Sequence, residues 1–240
     1  SCMFSCLFCG RNYDAVVKGK HPNIFKQVIE QDDKKDPYRI NVSGGLEPLT
    51  SPYIGEICKD LFDNGYYARM ITNGFLLNEK ILEKNPYINT LDYIRVSIYG
   101  LSEDEYLSTT RHKKGWQVVK ENLTNYNKRS ERTNLNLNYV LIPQNFTKLD
   151  RIIDYIEQIG GIGTLSLRED FTFKYEITER NQIQDTLFAF DEKIKKLHIP
   201  IDYGYALQDA MNGRDTKLMR VETNEIPRTQ APQVLSLIHI

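Results

Sequence analysis

Short β-rich segments alternate with helical segments from residue 38 onwards, and this order constrains the fold more than any other feature of the sequence. Strands that alternate with crossover helices form a parallel sheet. The helical segments repeat apolar residues at i, i+3, i+4 and i+7, which gives each helix one face that can pack on that sheet. The candidate strands are Tyr38 to Ser43, Tyr67 to Thr72, Tyr93 to Tyr99, Leu135 to Ile142 and Thr164 to Asp170.

Three helices between and after these strands have clear apolar stripes. They run from Ile54 to Phe62, from Leu149 to Ile156 and from Gln182 to Leu197. Gly65 and Gly160 follow the first two, where a left-handed residue commonly ends a helix. We therefore expect the stripe of each helix to face the sheet and each glycine to terminate its helix.

The two faces of the predicted sheet differ in polarity, because side chains alternate across a strand. A closed barrel fills its interior with branched apolar side chains, and a doubly wound sheet is apolar on both faces. The sequence instead predicts an α/β fold, a partial (β/α)6-type open TIM-like barrel whose lumen solvates a large polar ligand. The alternative is a sheet with one face exposed to solvent. The polar face comprises Arg39, Asn41, Ser43, Arg95, Ser97, Tyr99, Asn136, Asn138, Thr164, Ser166, Arg168 and Asp170.

The charge balance bears on possible partners. The sequence has 31 Lys and Arg against 32 Asp and Glu, a formal net charge of −1. This balance favours neither a nucleic acid nor an anionic membrane as partner, so a small or neutral polar substrate is expected. No apolar run approaches the roughly 20 residues that cross a bilayer, and no signal-peptide pattern opens the chain. We expect a cytoplasmic protein.

Three of the four cysteines lie within the first nine residues, as Cys2, Cys6 and Cys9. Such crowding is a poor disulfide framework but a plausible metal site. Three thiolates on one loop can hold three irons of a cubane cluster and leave the fourth iron open to another donor. A structural zinc site would need a fourth ligand, for which His21 is a candidate. Cys58 lies on an apolar helical stripe and is expected in the core.

The cysteine loop and two later segments resemble the radical S-adenosylmethionine (SAM) superfamily. Cys-x3-Cys-x-aromatic-Cys, with Phe8 as the aromatic residue, is similar to the superfamily signature. The segment Gly44-Gly45-Leu46-Glu47-Pro48 is similar to the family's Gly-Gly-Glu-Pro motif, with Leu46 as an extra residue. Thr72-Asn73-Gly74 ends the next candidate strand at the same edge of the sheet. The resemblance extends from Cys2 to about Asp170.

The resemblance implies two cofactors, a [4Fe–4S] cluster on Cys2, Cys6 and Cys9 and SAM on its open iron. It also implies reductive cleavage of SAM, hydrogen abstraction from a polar substrate in the lumen, and a flavodoxin- or ferredoxin-like reductant. Glycines bring backbone carbonyls close to a ligand, and a carboxylate can hold an ammonium group. The residues that the resemblance assigns to SAM binding are Phe8, Gly44, Gly45, Glu47, Thr72, Asn73, Ser97, Asn138 and Arg168.

Two short segments, Ser43 to Thr50 and Leu167 to Asp170, are similar to radical SAM ammonia-lyases that deaminate nucleotide-linked amino-deoxysugars. On this hypothesis Arg168 and Glu169 are the predicted catalytic residues, and Glu169 or Asp170 meets a sugar hydroxyl or amine. Arginines near the strand starts, at positions 39, 69 and 95, can meet a diphosphate, although such arginines are as often partners in ion pairs at the rim.

Two alternatives to this function remain open. The first is a peptide-modifying radical SAM maturase with a C-terminal auxiliary-cluster domain, which would need further cysteines after residue 200. The second is a non-catalytic iron–sulfur or zinc-binding module, which would need a fourth ligand and would not bind SAM.

The predicted domains are a partial barrel over residues 1–200 and the start of a truncated C-terminal extension over residues 201–240. Because Cys2 leaves no room for a strand before the ligand loop, we expect the first barrel strand to be missing from this chain. The last residues, Leu235 to Ile240, resemble a translated sequencing adapter and receive no functional weight.

Overall fold

The computed structural model describes residues 2–6, 9, 30, 39–43, 46–142, 145–169 and 180–213. Within these residues, six parallel strands form one sheet in the order β1 to β6. The strands are β1 (Arg39–Val42), β2 (Tyr67–Thr72), β3 (Tyr93–Ile98), β4 (Asn134–Leu141), β5 (Leu165–Glu169) and β6 (Ile201–Tyr203).

Helices connect the strands, and short 3₁₀ turns at Pro48–Thr50, Pro86–Thr90 and Phe146–Lys148 complete the connections. The helices are α1 (Ile54–Asp63), α2 (Glu79–Lys84), α3 (Glu103–Thr110), α4 (Gly115–Asn127), α5 (Arg151–Gln158), α6 (Arg180–Lys195) and α7 (Tyr205–Met211).

The strand order confirms the predicted fold class. Each strand pairs in parallel with the next one in the chain. Because crossovers between parallel strands are right-handed, an unbroken order places all the helices on one face and curls the sheet into a barrel. Among the described residues β1 and β6 do not pair with each other, so the barrel is open.

The five predicted strands are all present, and their ends differ from the predicted ends by at most one residue. Strand β6 was not predicted, because three residues are too few to show an alternating pattern. It pairs with β5 through Leu165 and Ile201, so the sheet continues past residue 200. Asp170, predicted at the end of β5, lies outside the described residues.

The face beneath the helices is buried, as predicted, except at Ile40 of β1, which is partly buried. The fully buried side chains of this face have relative exposures of 0 or 1%. The opposite face is polar but partly covered, and the Arg95 side chain on it is only 16% exposed. The lumen is therefore a half-buried polar surface rather than a sheet face open to solvent. The buried face includes Val42, Met70, Ile94, Val96, Ile98, Leu135, Leu137, Leu165 and Leu167.

The helical stripes pack on this buried face with one exception. Ile54 and Leu61 of α1 are buried, whereas Phe62, which was expected to face the sheet, is 56% exposed and contacts Tyr87 at the surface. At the ends of the helices, Gly65 has a φ of 71° and Gly160 one of 90°. Both therefore adopt the predicted left-handed conformation.

None of the helices in the described part of the chain is both long and apolar enough to cross a membrane.

Gly74, directly after the Thr72-Asn73 pair, is a position where the fold demands glycine. Its φ is 76°, and a Cβ there would lie 2.8 Å from Val96 Cγ1. Gly65 has a similar φ of 71° but open space around it. These two glycines form a matched pair. A side chain strains the backbone to a similar extent at both positions, but only at Gly74 does its Cβ clash with the core.

We expect Gly65→Ala to lower the free energy of unfolding by about 1–2 kcal/mol through backbone strain. Gly74→Ala should cost a further ~1–3 kcal/mol, because Val96 cannot move away within a close-packed core. Urea unfolding followed by circular dichroism measures both. Equal losses in the two variants would show that the contact with Val96 is not limiting.

Candidate active site

The cysteine loop lies at the carboxyl edge of the sheet, against the residues that follow β2 and β3. The Ser5 N–H donates to the Thr110 carbonyl oxygen at 3.0 Å, and the Cys9 N–H donates to the Cys6 carbonyl oxygen at 3.1 Å. Cys2 and Cys6 are half-buried, and Cys9 is exposed. All four cysteines of the chain are described, and none forms a disulfide. The three thiols of the loop are thus unpaired in this structure and at least partly exposed at one edge of the sheet.

Phe4 anchors the loop between these thiols. Its ring is 2% exposed. It makes edge-on contacts with Phe75, Tyr99 and Tyr106 at centroid distances of 5.7, 5.8 and 5.8 Å, and a tilted contact with His112 at 5.5 Å. Burial of a ring of this size fixes the backbone that carries it. The sequence analysis missed this role, because it assigned the aromatic position of the loop to Phe8, which lies outside the described residues.

Tyr99 connects the loop to the lumen. Burial raises the pKa of its hydroxyl well above the usual value, and the nearby Cys6 thiol raises the pKa further. A hydrogen bond with the Ser97 side chain opposes this shift. Tyr99 is therefore a neutral phenol beside the cysteines, linked to a polar residue that faces the lumen.

Asn73 contacts the loop directly from the end of β2. Its Nδ2 lies 3.6 Å from Cys2 Sγ and 3.1 Å from Met3 Sδ. Its Oδ1 accepts a hydrogen bond from the Phe75 N–H at 3.0 Å, which fixes the orientation of the amide. The amide of Asn73 thus links the end of β2 to the cysteine loop.

Glu47 joins the segment after β1 to the end of β2. Its carboxylate is 4% exposed and accepts hydrogen bonds from the Leu49 N–H at 3.2 Å, the Thr72 hydroxyl at 2.5 Å and the Asn73 N–H at 2.8 Å. Thr72 Oγ1 in turn accepts from the Gly74 N–H at 3.1 Å. Burial raises the pKa of Glu47, and the three hydrogen bonds partly oppose this shift.

These hydrogen bonds affect the predicted role of Glu47 in SAM binding. Two carboxylate oxygens offer about four acceptor positions. Donors from the protein use three of them in this structure. Glu47 therefore has room for one further donor, such as an ammonium group, while it holds the sheet edge together. Gly44 and Gly45, which precede it in the motif, lie outside the described residues.

The predicted lumen residues lie side by side across the sheet. Ser97 pairs with Asn138 in the register, and Asn138 pairs with Ser166. Ser166 pairs with Asp202 and donates its hydroxyl to Asp202 Oδ2 at 3.3 Å. Four strands thus contribute to one polar row, and Asp202 was missed because β6 was not recognised as a strand.

The two predicted catalytic residues lie on opposite faces of β5. Arg168 faces the lumen, where its guanidinium forms an ion pair with Asp202 and donates to the Asp202 carbonyl oxygen at 2.8 Å. Glu169 pairs in register with the buried Leu141 and accepts from the Ala206 N–H at 3.3 Å. Its other oxygen, Oε2, is buried and has no hydrogen-bond partner among the described residues.

The structure therefore brings Cys2, Asn73, Thr72 and Glu47 into one connected group at the sheet edge. Ser97, Asn138 and Arg168 line the lumen beside it, whereas Glu169 faces the helical layer. Their roles in cofactor binding and catalysis stay predictions.

The cysteine loop carries the three thiols that the resemblance assigns to a cluster, Cys2, Cys6 and Cys9. Among the described residues, no group of three His, Cys, Asp or Glu side chains converges closely enough to hold one metal ion. Each thiolate of a cubane cluster binds a different iron, so its ligands need not converge on one point. His21, the candidate fourth zinc ligand, lies outside the described residues.

Comparisons with known proteins agree with this geometry. The sequence model of the Radical SAM superfamily matches residues 1–156. A curated relative, dTDP-4-amino-4,6-dideoxy-D-glucose ammonia-lyase of Streptomyces venezuelae, is 34% identical over 98% of this chain. The match covers 52% of the relative, so the chain spans about half the length of the curated protein that it matches.

Solved structures share the fold at low sequence identity. The Streptococcus suis protein SuiB, in complex with its precursor peptide SuiA, has a TM-score of 0.69 at 14% identity, covering 88% of this chain and 48% of SuiB. The protein anSMEcpe, in complex with AdoMet and a peptide, has a TM-score of 0.66 at 12% identity, covering 90% of this chain and 64% of that protein. At such identities the likeness concerns the fold.

The hydrogen bond between Thr72 and Glu47 can be tested by substitution. Thr72→Val keeps the shape but removes the donor to Glu47 and the acceptor of the Gly74 N–H. It should lower the free energy of unfolding by about 1–3 kcal/mol. The matched control is Thr124→Val, where the lost hydroxyl bonds a helical carbonyl of α4, and the change should stay within about 0.5 kcal/mol.

The loss at Thr72 should also depend on pH. The folded-state pKa of Glu47 is raised by burial, so its contribution to stability is full below the unfolded value and declines as the pH rises through the folded pKa. The Thr72 hydroxyl stabilises the carboxylate form, so its removal raises that pKa further. Urea unfolding at several pH values should show a difference between wild type and Thr72→Val that grows as Glu47 ionises. A pH-independent difference would contradict this account.

Proposed function

Because the chain belongs to the radical SAM superfamily, we propose that it forms the catalytic barrel of an enzyme that removes ammonia from a nucleotide-linked amino-deoxysugar. The observation that carries the proposal is the 34% identity to the ammonia-lyase along almost the whole chain. The cysteine loop supports the radical chemistry, and the polar lumen supports a large hydrophilic substrate.

The described residues fit the cofactors that the family implies. Cys2, Cys6 and Cys9 supply three reduced thiols on one loop, which Phe4 and Asn73 hold at the sheet edge. Three thiolates would bind a [4Fe–4S] cluster and leave one iron for SAM. When bound, the cluster and SAM supply reductive cleavage and a radical that abstracts a hydrogen atom from the substrate.

The residues of the chain would bind and orient the cofactors and the substrate, and they would exclude water from the site. The Asn73 amide contacts Cys2, and Glu47 keeps Asn73 in place and would accept one donor from SAM. Ser97 and Asn138 offer hydrogen-bonding groups to the ribose, and Arg168 offers its guanidinium to a carboxylate. Phe8, Gly44 and Gly45 complete the proposed SAM site.

Glu169 and Arg168 are the proposed residues for the substrate sugar. Glu169 ends β5 on the side of the helical layer, so it would meet a sugar hydroxyl or amine only at the carboxyl edge of the sheet, above the lumen in which Arg168 lies. Gly204 makes room for this carboxylate, because a Cβ at that position would lie 2.1 Å from Oε2. Arg168, held by Asp202, would fix the sugar from the lumen side.

We propose two parts for the chain, with a boundary later than residue 200. Strand β6 pairs with β5, and the Gln184 side chain of α6 donates to the Met211 carbonyl oxygen at the end of α7 at 3.0 Å. The barrel domain would therefore extend to Met211, and the C-terminal extension would begin after it.

We propose a protein electron donor as partner and a reducing compartment as the location of the protein. A cluster of this type works at low potential and needs a flavodoxin- or ferredoxin-like protein as reductant. Reduced cysteines and an exposed Cys9 suit a cytoplasmic location.

Cluster binding can be tested with single cysteine variants. Cys2→Ala, Cys6→Ala and Cys9→Ala should each abolish formation of 5′-deoxyadenosine from SAM and dithionite after anaerobic reconstitution, because each removes one of the three proposed thiolate ligands. Cys58→Ala is the matched control, because Cys58 is fully buried in the core and its pKa is raised to about 12 by burial. It should retain iron content and SAM cleavage.

Electron paramagnetic resonance separates the enzyme from a non-catalytic carrier. The spectrum of the reduced wild-type cluster should change when SAM is added, because SAM binds the open iron. An unchanged spectrum without SAM cleavage would favour the carrier.

The substrate can be tested with the ammonia-lyase substrate named by the relative. The reconstituted chain should release ammonia from dTDP-4-amino-4,6-dideoxy-D-glucose, measured by a coupled ammonia assay, and dTDP-glucose, which lacks the amine, is the control. Turnover of a peptide without ammonia release would favour a peptide-modifying maturase instead.

A further inference from the structure

We propose that Arg69, Tyr93 and Arg95 form the subsite for the diphosphate of a nucleotide-linked substrate. This inference rests on the proposed function and extends it to residues deep in the lumen. The geometry, the charge and the unused hydrogen-bond donors of the two arginines support it independently of the sheet edge.

The two arginines share one aromatic ring. Arg69 Cζ lies 5.7 Å and Arg95 Cζ 5.5 Å from the centroid of the Tyr93 ring. Arg69 pairs with Tyr93 in the register of β2 and β3, and Arg95 follows two residues later on the same face of β3. Two guanidinium groups are thereby held beside one ring, at a spacing set by adjacent strands.

The charges of these arginines are not balanced within the part of the chain that the structure describes. Arg69 donates to Asn41 Oδ1 and to the Tyr93 hydroxyl, which are both neutral. Arg95 lies 3.9 Å from Asp202 Oδ2, too far for a hydrogen bond, and Asp202 already pairs closely with Arg168. Among the described residues, Arg95 therefore shares the single carboxylate of Asp202 with Arg168, and no carboxylate pairs with Arg69.

Burial makes this imbalance costly. The Arg95 side chain is 16% exposed, and its Nε is buried with no hydrogen-bond partner in the described part of the chain. Burial lowers the pKa of Arg95, and the charges of Arg69 and Arg168 lower it further, against the opposing effects of Tyr93 and Asp202. A buried cation in this setting is stabilised by an anion that supplies several acceptors.

A diphosphate meets these requirements better than a single carboxylate. It carries oxygens on two phosphorus atoms, and each guanidinium presents a planar fork that matches a pair of them. Of the five N–H donors of Arg69, hydrogen bonds to Asn41 and Tyr93 account for two, which leaves donors for a ligand.

The depth of the subsite fits an extended substrate. Arg69 precedes the end of β2 by three residues and Tyr93 precedes the end of β3 by five. At about 3.3 Å per residue, the subsite lies roughly 10–17 Å below the edge that carries the cysteines. A nucleotide sugar would place its sugar towards the cysteine loop and its diphosphate between the arginines.

Binding of dTDP tests this subsite without any radical step. Isothermal titration calorimetry on the reconstituted chain should show that Arg69→Gln and Arg95→Gln each weaken dTDP binding by roughly tenfold or more, because each removes charge-assisted hydrogen bonds. The same two substitutions should weaken the binding of dTMP, which has only one phosphate, by a smaller factor. Arg129→Gln, which removes the same charge from an arginine paired with Glu79 on the helical layer, should leave dTDP affinity unchanged.

Arg69→Lys and Arg95→Lys serve as controls for misfolding, because they keep the positive charge and remove only the planar guanidinium. They should lie between wild type and the glutamine variants, and thermal unfolding verifies the fold of each variant. The inference is overturned if wild type does not bind dTDP, if the four lumen variants bind dTDP like wild type, or if SAM displaces dTDP.

The outcomes also separate this inference from the proposed function. Formation of 5′-deoxyadenosine without dTDP binding would overturn the diphosphate subsite alone. Arginine-dependent dTDP binding without SAM cleavage would support the subsite and count against the radical chemistry.

Discussion

The carboxylate of Glu47 is the constraint on which the sheet edge depends. It joins the segment after β1 to Thr72 and Asn73 at the end of β2, and Asn73 in turn contacts Cys2. Because Glu47 is buried, its acceptor positions must be filled, and the backbone on both sides is held to fill them. The position of the cysteine loop therefore follows from a hydrogen-bond network that begins in a different segment of the chain.

The separation of polar and apolar faces explains why the barrel is open. The buried face supplies the core, while the lumen face carries Arg95, Arg168 and their neighbours on the other parity. A closed barrel would bury these charges with too few partners, and the desolvation cost would be large. An open lumen keeps them half-hydrated until a ligand with complementary charge enters.

The sequence predicted the fold well, because period-two alternation is a local signal. It failed where the signal was short or non-local. Strand β6 has three residues, so Asp202 was not recognised as the partner of Arg168. The packing of Phe4 under His112 and the internal partners of Glu47 depend on residues that are distant in sequence, which no pattern within a window reveals.

The fold alone does not determine which charges line the lumen. SuiB and anSMEcpe share the fold at 14% and 12% identity, and their structures hold peptides. In this chain the cysteine loop lies at the edge of the sheet, and Arg69 and Arg95 lie deeper in the lumen. A pair of arginines beside Tyr93 is costly to keep in a half-buried lumen unless the substrate brings negative charge. On the function proposed above, the diphosphate of a nucleotide-linked substrate would supply this charge.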